Sequence, residues 1–304
     1  MCRDGAIAIM SLLIAGTICF DTIETPSGRM DRILGGSGVF AAVAASIHSR
    51  PKLIGAVGND FTAEAREVLA RHGIDLSAVQ TLSDVRTQFW HGRYHPGLHT
   101  REHIEVDLDI LDRMDLVVPL ALRNSSHVFL AHMPPHHQHR VLDQLSGPRV
   151  VFADTIDYWI TTRREEVIRL LGRVTGVVVN DGEAELLTGE RNPFKAARAI
   201  SQLGPKLVIV KKGEHGVLIH KDNEFIALPA YPTEAVIDPT GAGDTFAGAL
   251  IASLVAGLPF VQSAANGIVA ASMTVEGFGL SRLLAAAPTD LDRRTARYRS
   301  MLTI

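Results

Sequence analysis

Cysteine is scarce in this 304-residue sequence, which contains only Cys2 and Cys19. Two cysteines in 32.9 kDa exclude a disulfide framework and a cysteine-built zinc site, and they fit a reducing cytoplasm. A basic excess is also missing, because 30 Lys and Arg residues face 33 Asp and Glu residues and the net charge is −3. This balance argues against nucleic acid and membrane surfaces as partners, so we expect a small-molecule partner.

One apolar run, residues 6–20, is too short to span a lipid bilayer. It ends in Asp21 without the small-residue cleavage pattern of a signal peptide, which is the alternative interpretation of this run. Its second half, Leu12–Thr17, is better explained as a buried strand. Residues 1–10 then form an N-terminal extension, in which Met10 is an alternative start of the protein.

Internal repeats, low-complexity segments and flexible linkers are absent from the sequence, which favours a single domain over residues 1–304. Short β-branched runs instead alternate with segments of helical period. The predicted strands are Leu12–Thr17, Lys52–Val57, His127–Leu130, Arg149–Ala153, Gly176–Val179 and Leu207–Val210, and the predicted helices are 62–72, 135–145, 163–171, 193–203, 243–257 and 260–275. Because parallel strands need a crossover that is usually helical, this alternation predicts an α/β protein whose mostly parallel central sheet is covered on both faces.

Two segments break this alternation. Residues 17–34 are rich in Thr, Gly and Asp, and residues 84–108 have strand-like composition without a helix between the strands. Strands outside the main pattern often form a small sheet that projects over a site. We therefore predict a β-sheet lid formed by about 17–34 and 84–108.

The stretch Ile237–Leu250 carries the clearest chemical signal. A turn of Gly241, Ala242 and Gly243 leads directly into an apolar helix pattern, so its N–H groups lie at a helix N-terminus, where unpaired donors and the helix dipole favour an anion. Asp244, in the same turn, is placed to accept a proton from a hydroxyl that attacks a bound phosphate. The alternative is that Asp244 only caps the helix and the glycines only form a turn.

Two common phosphate loops are excluded, because the chain has no G-x-x-x-x-G-K-[ST] pattern and this turn lacks the third glycine of a dinucleotide fingerprint. Four stretches do match a known family: RILGGSGVFAAVAAS at 32–46, VVVNDGEAELLTG at 177–189, IVKKGEHGVLI at 209–219 and DPTGAGDTFAGAL at 238–250. In order and spacing they resemble the motifs of the ribokinase-like (PfkB) carbohydrate and nucleoside kinases, over about residues 11–285. The resemblance implies a three-layer α/β sandwich with a small β-sheet lid.

The resemblance also implies the roles of the residues in the glycine turn. Asp244 would be the general base that takes the proton of a substrate hydroxyl as it attacks the γ-phosphate of ATP. The amides of Gly241, Ala242 and Gly243 would hold the negative charge that builds on the transferring group.

The same resemblance places a nucleotide and its metal ion. Asn180 and Glu183 would orient Mg²⁺ through water molecules, since this small cation keeps part of its hydration shell. The alternative for Glu183 is a simple surface helix residue. The remaining assignments are Asn180, Lys211 (or Lys212), Gly213, Gly216 and Asn266 to the nucleotide, and Asp238 and Thr240 to a candidate K⁺ site.

Five residues are assigned to the phosphate acceptor. Asp21 would hydrogen-bond substrate hydroxyls above a pocket floor of Gly35 and Gly36, with an Asx turn as the alternative. Phe40 stands where ribokinase-type members often have a sugar-binding Asn, so it either stacks on a base or sugar face or belongs to a helix core. Arg93, in the predicted lid, reaches a phosphate or hydroxyl, or is an ordinary exposed arginine.

Histidines are concentrated in two places. His91, His95, His99 and His103 recur every four residues, but Gly and Pro interrupt the run, so a continuous helical metal site is not expected. In strands this spacing would place all four on one face of the lid. The second cluster, HMPPHHQH at 132–139, is typical of a loop that enters a helix.

The leading functional prediction is an ATP-dependent kinase that phosphorylates a hydroxymethyl group of a sugar or sugar-like substrate. A nucleoside kinase of adenosine or cytidine type is the alternative within the same enzyme class. The alternative of another class is a ligand sensor that keeps the kinase fold without catalysis. Because a projecting lid sheet has exposed edges, we also expect a homodimer formed through the lid.

Overall fold

Strands and helices alternate along the computed structural model, which describes residues 11–302. The predicted N-terminal extension, residues 1–10, lies outside the described residues. The strands are β1 (Leu12–Ala15), β2 (Cys19–Thr25), β3 (Gly28–Gly35), β4 (Lys52–Val57), β5 (Asp75–Thr81), β6 (Gln88–Tyr94), β7 (Arg101–Asp107), β8 (His127–Leu130), β9 (Val150–Asp154), β10 (Gly176–Asn180), β11 (Leu207–Lys211), β12 (Val217–Lys221) and β13 (Glu224–Leu228). The helices are α1 (Ser37–Ser46), α2 (Ala63–Arg71), α3 (Asp109–Arg113), α4 (Pro135–Asp143), α5 (Asp157–Thr162), α6 (Arg164–Leu171), α7 (Asp181–Thr188), α8 (Pro193–Gln202), α9 (Ala242–Val255), α10 (Phe260–Thr274), α11 (Ser281–Leu284) and α12 (Pro288–Leu302).

The larger sheet has nine strands in the order β13-β12-β11-β10-β9-β8-β1-β4-β5. Neighbouring strands from β11 to β5 are parallel, and β12 and β13 add an antiparallel edge. Every residue of β1 and β8 is buried, because helices cover both faces of the sheet and leave no strand face for polar residues. The predicted α/β class with a mostly parallel central sheet is confirmed.

A second, four-stranded sheet has the order β3-β2-β6-β7. Strands β2 and β3 form an antiparallel hairpin, β6 pairs parallel with β2, and β7 pairs antiparallel with β6. We call it the lid sheet. Its strands occupy nearly the same two segments that the sequence pattern sets apart from the main alternation.

Helices α1 and α9 pack at backbone contact distance on one face of the larger sheet. A Cβ atom added to Gly248 of α9 would lie 2.2 Å from the carbonyl oxygen of Ala41 in α1, so only glycine allows this approach. The packing places the N-terminus of α1 beside the N-terminus of α9. It therefore brings two motifs together that are about 200 residues apart in sequence.

Between residues 11 and 302, no helix has both the length and the apolar content that a bilayer span requires.

Candidate active site

Three polar side chains stand at the ends of three neighbouring strands. Asp154, Asn180 and Lys211 are the last residues of β9, β10 and β11, and these strands are parallel neighbours. Ligands of open α/β sheets bind outside the carboxyl ends of the strands. A cleft of about 820 Å³ lies at this edge, and residues of the lid sheet, α1 and the turn before α9 complete its lining.

The turn before α9 presents free backbone donors to this cleft. Gly241, the N-cap of α9, has φ 73°, and a Cβ atom there would lie 2.4 Å from the ring of Phe40. Within residues 11–302, the N–H groups of Gly241 and Gly243 have no hydrogen-bond acceptor. The N–H of Ala242 donates to the carbonyl oxygen of Pro239 at 3.2 Å, so of the three amides predicted to hold an anion, that of Ala242 already has a partner within the turn.

Asp244 lies in the first turn of α9 and lines the same cleft. Burial, together with the nearby Asp154 and Asp21, raises the pKa of its carboxyl group to about 7, although Lys211 opposes the shift. A carboxylate with this pKa is an effective proton acceptor near neutral pH. The geometry therefore combines an anion-binding turn with a candidate general base.

Lys211 is held beside the turn by Asp154, a residue that the sequence reasoning missed. Its Nζ lies 3.0 Å from Asp154 Oδ2, and a Cβ atom on Gly243 would lie 2.8 Å from Nζ. Burial disfavours the ammonium, but the carboxylates of Asp154, Glu183 and Asp244 outweigh burial and hold the pKa of Lys211 above its ordinary value. The signal for Asp154 was its position at the end of a predicted strand.

Asn180 and Glu183 form a capping box at the start of α7. The side-chain oxygen of Asn180 accepts the N–H of Glu183 at 2.7 Å, and Glu183 Oε2 accepts the N–H of Asn180 at 2.7 Å. Glu183 is only 7% exposed, and burial raises its pKa to about 8. Because it is buried, Glu183 is not a surface helix residue. Its second carboxylate oxygen, Oε1, takes no part in the capping box.

The oxygen-rich surroundings of Glu183 fit Mg²⁺. Asp154 and Asp157 add negative charge near Glu183, and a divalent cation would relieve this repulsion. Among residues 11–302, no group of three or more His, Cys, Asp or Glu side chains is arranged to hold a metal ion. A Mg²⁺ ion held here by Glu183 would keep part of its water shell, as this cation commonly does.

Asp238 and Thr240, predicted to border a monovalent cation, are used in contacts of the fold. The carboxylate of Asp238 is fully buried and accepts the N–H groups of Thr240 at 2.9 Å and Gly279 at 2.8 Å. The hydroxyl of Thr240 donates to the hydroxyl of Tyr94 in β6 at 3.1 Å. These bonds join the turn before α9 to the lid sheet and to the segment after α10.

Asp21, predicted to bind the phosphate acceptor, lines the cleft from β2 and is 4% exposed. Burial raises its pKa to about 7, although the Cys19 thiol donates a hydrogen bond to Asp21 Oδ1 at 3.0 Å. A Cβ atom on Gly35 would lie 1.9 Å from Asp21 Oδ2, so any larger residue at position 35 would displace the Asp21 carboxylate. Gly36 and Phe40 line the cleft nearby, and the Phe40 ring is buried within α1.

Arg93 does not reach the cleft. Its guanidinium forms ion pairs with Glu24 at 2.6 Å and Glu102 at 2.7 Å. The physical reason is strand alternation, because Trp90 and Tyr94 of β6 line the cleft and Arg93 has the opposite parity to Tyr94. The lid-sheet residues that line the cleft are Cys19, Asp21, Gln88, Trp90, Tyr94, Arg101, His103 and Val106.

Two residues assigned to the nucleotide have packing contacts outside the cleft lining. Asn266 donates to the hydroxyl of Ser253 at 2.9 Å, which joins α10 to α9. Gly216 lies against the backbone of Leu228 and Pro229, where a Cβ atom would be 2.1 Å from the Leu228 carbonyl oxygen. Gly213, by contrast, does line the cleft.

The four regularly spaced histidines do not share a face of the lid sheet. His91 pairs with Glu24 at 2.9 Å, whereas His103 accepts the indole N–H of Trp90 at 2.8 Å and lines the cleft. A bulge between His91 and Gly92 and the β6–β7 turn break the expected register. In the second cluster, His132 lines the cleft, and burial lowers its pKa to about 4.

Comparison with known proteins agrees with this geometry. The family model "pfkB family carbohydrate kinase" matches residues 120–286. The cytidine kinase of Thermococcus kodakarensis is 30% identical over 277 residues, which cover 89% of this chain and 98% of that protein.

Solved structures show the same fold. A Burkholderia thailandensis nucleoside kinase in complex with inosine has a TM-score of 0.77 at 18% identity and covers 95% of this chain and 98% of its own. A putative ribokinase II from E. coli in complex with ATP and Mg²⁺ has a TM-score of 0.79 at 19% identity, with coverage of 95% and 99%. With a matching family model and a 30% identical relative over most of its length, this chain belongs to the pfkB family of carbohydrate kinases.

Proposed function

We propose that the protein is an ATP-dependent kinase that phosphorylates the hydroxymethyl group of a nucleoside. The observation that carries the proposal is the turn before α9, which places the carboxyl group of Asp244 and the free N–H groups of Gly241 and Gly243 in one cleft. A phosphate on these donors lies within reach of a hydroxyl that Asp244 deprotonates. The arrangement suits phosphoryl transfer, which depends on positioning and charge stabilisation.

The residues around the turn would have different roles in the reaction. Asp244 takes the proton of the acceptor hydroxyl, and the N–H groups of Gly241 and Gly243 bind the charge that builds on the transferring phosphoryl group. Lys211, fixed by Asp154, adds a positive charge beside Gly243. On the acceptor side, Asp21 accepts hydrogen bonds from substrate hydroxyls.

A divalent cation fits beside Glu183 and the strand ends of β9 and β10. When bound with ATP, Mg²⁺ neutralises phosphate charge and helps to orient the phosphates. The capping box fixes Glu183 and Asn180 in place, so the residues that would hold the hydrated ion are ordered before the nucleotide binds. Support for a K⁺ ion at Asp238 is weaker, because both carboxylate oxygens already accept N–H groups.

The lining of the lid sheet favours a nucleoside over a simple sugar. Trp90, Tyr94 and His103 bring aromatic rings to the cleft, and such surfaces suit a flat nucleobase. The similarity to a cytidine kinase points in the same direction. A sugar remains the second candidate, since Asp21 and the glycines beside it recognise hydroxyls that sugars and nucleosides share.

A substrate panel tests the acceptor. ADP release is measured with ATP and Mg²⁺ and each of cytidine, adenosine, inosine, ribose, fructose, fructose phosphates and ketodeoxygluconate. We expect the highest kcat/KM with a nucleoside. A sugar as the best substrate would overturn the nucleoside assignment. ATP binding without turnover on any acceptor would favour a ligand sensor that keeps the kinase fold without catalysis.

The catalytic assignment is tested with Asp244→Asn, which keeps the size of the side chain and removes the proton acceptor. We expect kcat to fall by about 10²–10⁴ while the Kd for ATP stays within a few-fold. Asp222→Asn, on the exposed β12–β13 turn, is the matched control and should keep full activity. Wild-type turnover by Asp244→Asn would show that another group is the base.

The open edges of the lid sheet bear on the assembly of the protein. The lid sheet leaves β3 and β7 as open edges, and we propose that two copies of the chain pair along them to form a homodimer. Use of ATP favours a cytoplasmic location, where this nucleotide is plentiful.

A further inference from the structure

A second cavity lies among α10, α11 and α12 and shares no lining residue with the active-site cleft. Its volume is about 360 Å³, which is within the range of small-ligand sites. Four arginines, Arg282, Arg293, Arg294 and Arg297, line it. None of the reaction roles described above uses these residues.

The charge of this arginine pocket is positive in a chain whose net charge is −3. Two carboxylates lie beside the four arginines, Asp290 and Glu276, and four minus two leaves a local surplus of two positive charges. Asp290 is already occupied, because it accepts from Arg293 at 2.8 Å and from the Ala287 N–H at 3.0 Å. Residues 290, 293, 294 and 297 share one face of α12 by their spacing.

The arginines differ in what holds them. Arg294 donates to both carboxylate oxygens of Glu276, at 2.8 and 3.0 Å, and lies 4.9 Å above the ring of Tyr231. Arg297 is exposed, and no carboxylate of residues 11–302 lies within ion-pair distance of its guanidinium. Arg294 is thus fixed in the wall, whereas the guanidinium of Arg297 has no carboxylate partner among the described residues and faces solvent. A guanidinium binds phosphate oxygens in a bidentate manner.

We propose that the arginine pocket binds a small polyanion that carries phosphate groups, and that its occupancy is linked to the turn before α9. Glu276 is the first step of the link, since Arg294 and the Thr233 hydroxyl, at 3.0 Å, hold its carboxylate. An anion that draws Arg294 away releases Glu276 and the segment that follows α10.

That segment is bonded directly to the active-site turn. The carbonyl oxygen of Val275 accepts the N–H groups of Ile237 at 2.7 Å and Asp238 at 3.3 Å, and the N–H of Gly279 donates to Asp238 Oδ2 at 2.8 Å. Asp238 lies three residues before Gly241 in the sequence. Because such coupling is reciprocal, the anion and a phosphate at the turn affect the affinity of each other.

Binding is tested by calorimetry with inorganic pyrophosphate in the absence of divalent cations. The double variant Arg293→Gln/Arg297→Gln removes two pocket charges at exposed positions and leaves the Arg294–Glu276 pair intact. The matched control Arg169→Gln/Arg191→Gln removes two exposed arginines far from the pocket lining.

We expect the double variant to bind one equivalent of pyrophosphate fewer per chain than the wild type, or to bind that equivalent at least tenfold more weakly, and the control to match the wild type. Identical binding curves for all three proteins would overturn the site. Equal affinity of the pocket for citrate would overturn its assignment to phosphate. Neither measurement requires catalytic activity, so the result does not depend on the proposed function.

The link is tested by hydrogen–deuterium exchange in the same proteins. Pyrophosphate can also bind the turn itself. The informative quantity is therefore the difference between the wild type and the double variant in the change of deuterium exchange that pyrophosphate causes. We expect this loss in residues 274–280 and also in 237–244. If the change in 237–244 is the same in the wild type and the double variant, the pocket is not linked to the turn.

Discussion

Three carboxyl groups of the active-site cleft, Asp21, Asp244 and Glu183, have raised pKa values. Removal from water raises these pKa values to about 7, 7 and 8, respectively. Each group would be ionised in water at neutral pH, whereas the fold disfavours its charged form, which a bound cation or hydroxyl donors would stabilise. Perturbed pKa values of this kind cluster at functional sites.

The pKa of Asp244 predicts the pH dependence of the reaction. A general base must be deprotonated, so kcat/KM should fall about tenfold per pH unit below pH 7 and level off above it. Steady-state rates between pH 5 and 9 measure this profile at constant free Mg²⁺. A rate independent of pH across this range would contradict the role of Asp244.

Asp21 predicts a pH dependence of stability. Its folded pKa of about 7 exceeds the unfolded value of about 3.9, so the folded state binds the proton more tightly. The stabilisation from this proton is complete below pH 4 and is lost as the pH rises through 7. Asp21→Asn removes the effect.

We therefore compare the unfolding free energy of Asp21→Asn with that of the wild type at pH 5 and at pH 8. We expect the difference to shift in favour of the variant by about 1–3 kcal/mol from pH 5 to pH 8. Urea unfolding of the ligand-free proteins at both pH values measures it. The control Asp222→Asn should show no change with pH. An Asp21→Asn protein whose difference from the wild type is equal at pH 5 and pH 8 would show that the pKa of Asp21 is not raised in the folded state.

At the scale of elements, the contact between α1 and α9 positions the two halves of the cleft. Gly248→Ala would place a methyl group 2.2 Å from the Ala41 carbonyl oxygen and force the helices apart. We expect a loss of about 1–3 kcal/mol in unfolding free energy together with a lower kcat, because the turn before α9 moves away from Asp21. Thermal unfolding and turnover are the measurements.

Gly172→Ala is the matched control for this change. Its Cβ atom would meet ordinary contacts, the nearest at 3.5 Å, and its φ is −66°. We expect nearly wild-type stability and activity. If Gly248→Ala were equally neutral, the close packing of the two helices would not matter for the site.

Sequence reasoning predicted the elements whose residue pattern is set locally. The central strands, such as β4 and β8, are short apolar runs that can only be buried, and their bounds were predicted without error. Strand β5 was missed because its exposed edge position gives the polar pattern DLSAVQT. Helix α1 was not predicted as an element, since burial on every side removes its amphipathic period.

The site was predictable only to the level of motifs. Asp244, Gly241 and Glu183 follow from their motif positions, and the structure brings them into one cleft. The face that Arg93 takes depends on the pleat of β6 and its bulge, which no local pattern reports. The pairing of Lys211 with Asp154 joins two strand ends 57 residues apart, so it depends on strand order.

At the scale of the whole molecule, the edges of the lid sheet predict a homodimer. Strand β7 is almost entirely exposed, and Ile104 and Met30 are 42% and 43% exposed. We expect sedimentation velocity to give twice the mass of the chain and Ile104→Lys to shift the protein toward the monomer. Leu120→Lys, at a 78% exposed position outside the lid sheet, is the control. A monomeric wild type would contradict pairing through the lid.

The order of the site residues along the chain has a consequence for how such enzymes diversify. The residues proposed to bind the acceptor, Asp21, Gly36, Trp90 and His103, come from the first 107 residues, and the residues proposed to act on the phosphate, Asp154 to Asp244, come from the chain after them. Under the proposed function, substitutions in the N-terminal third would therefore alter the choice of acceptor and leave the phosphate-binding turn unchanged.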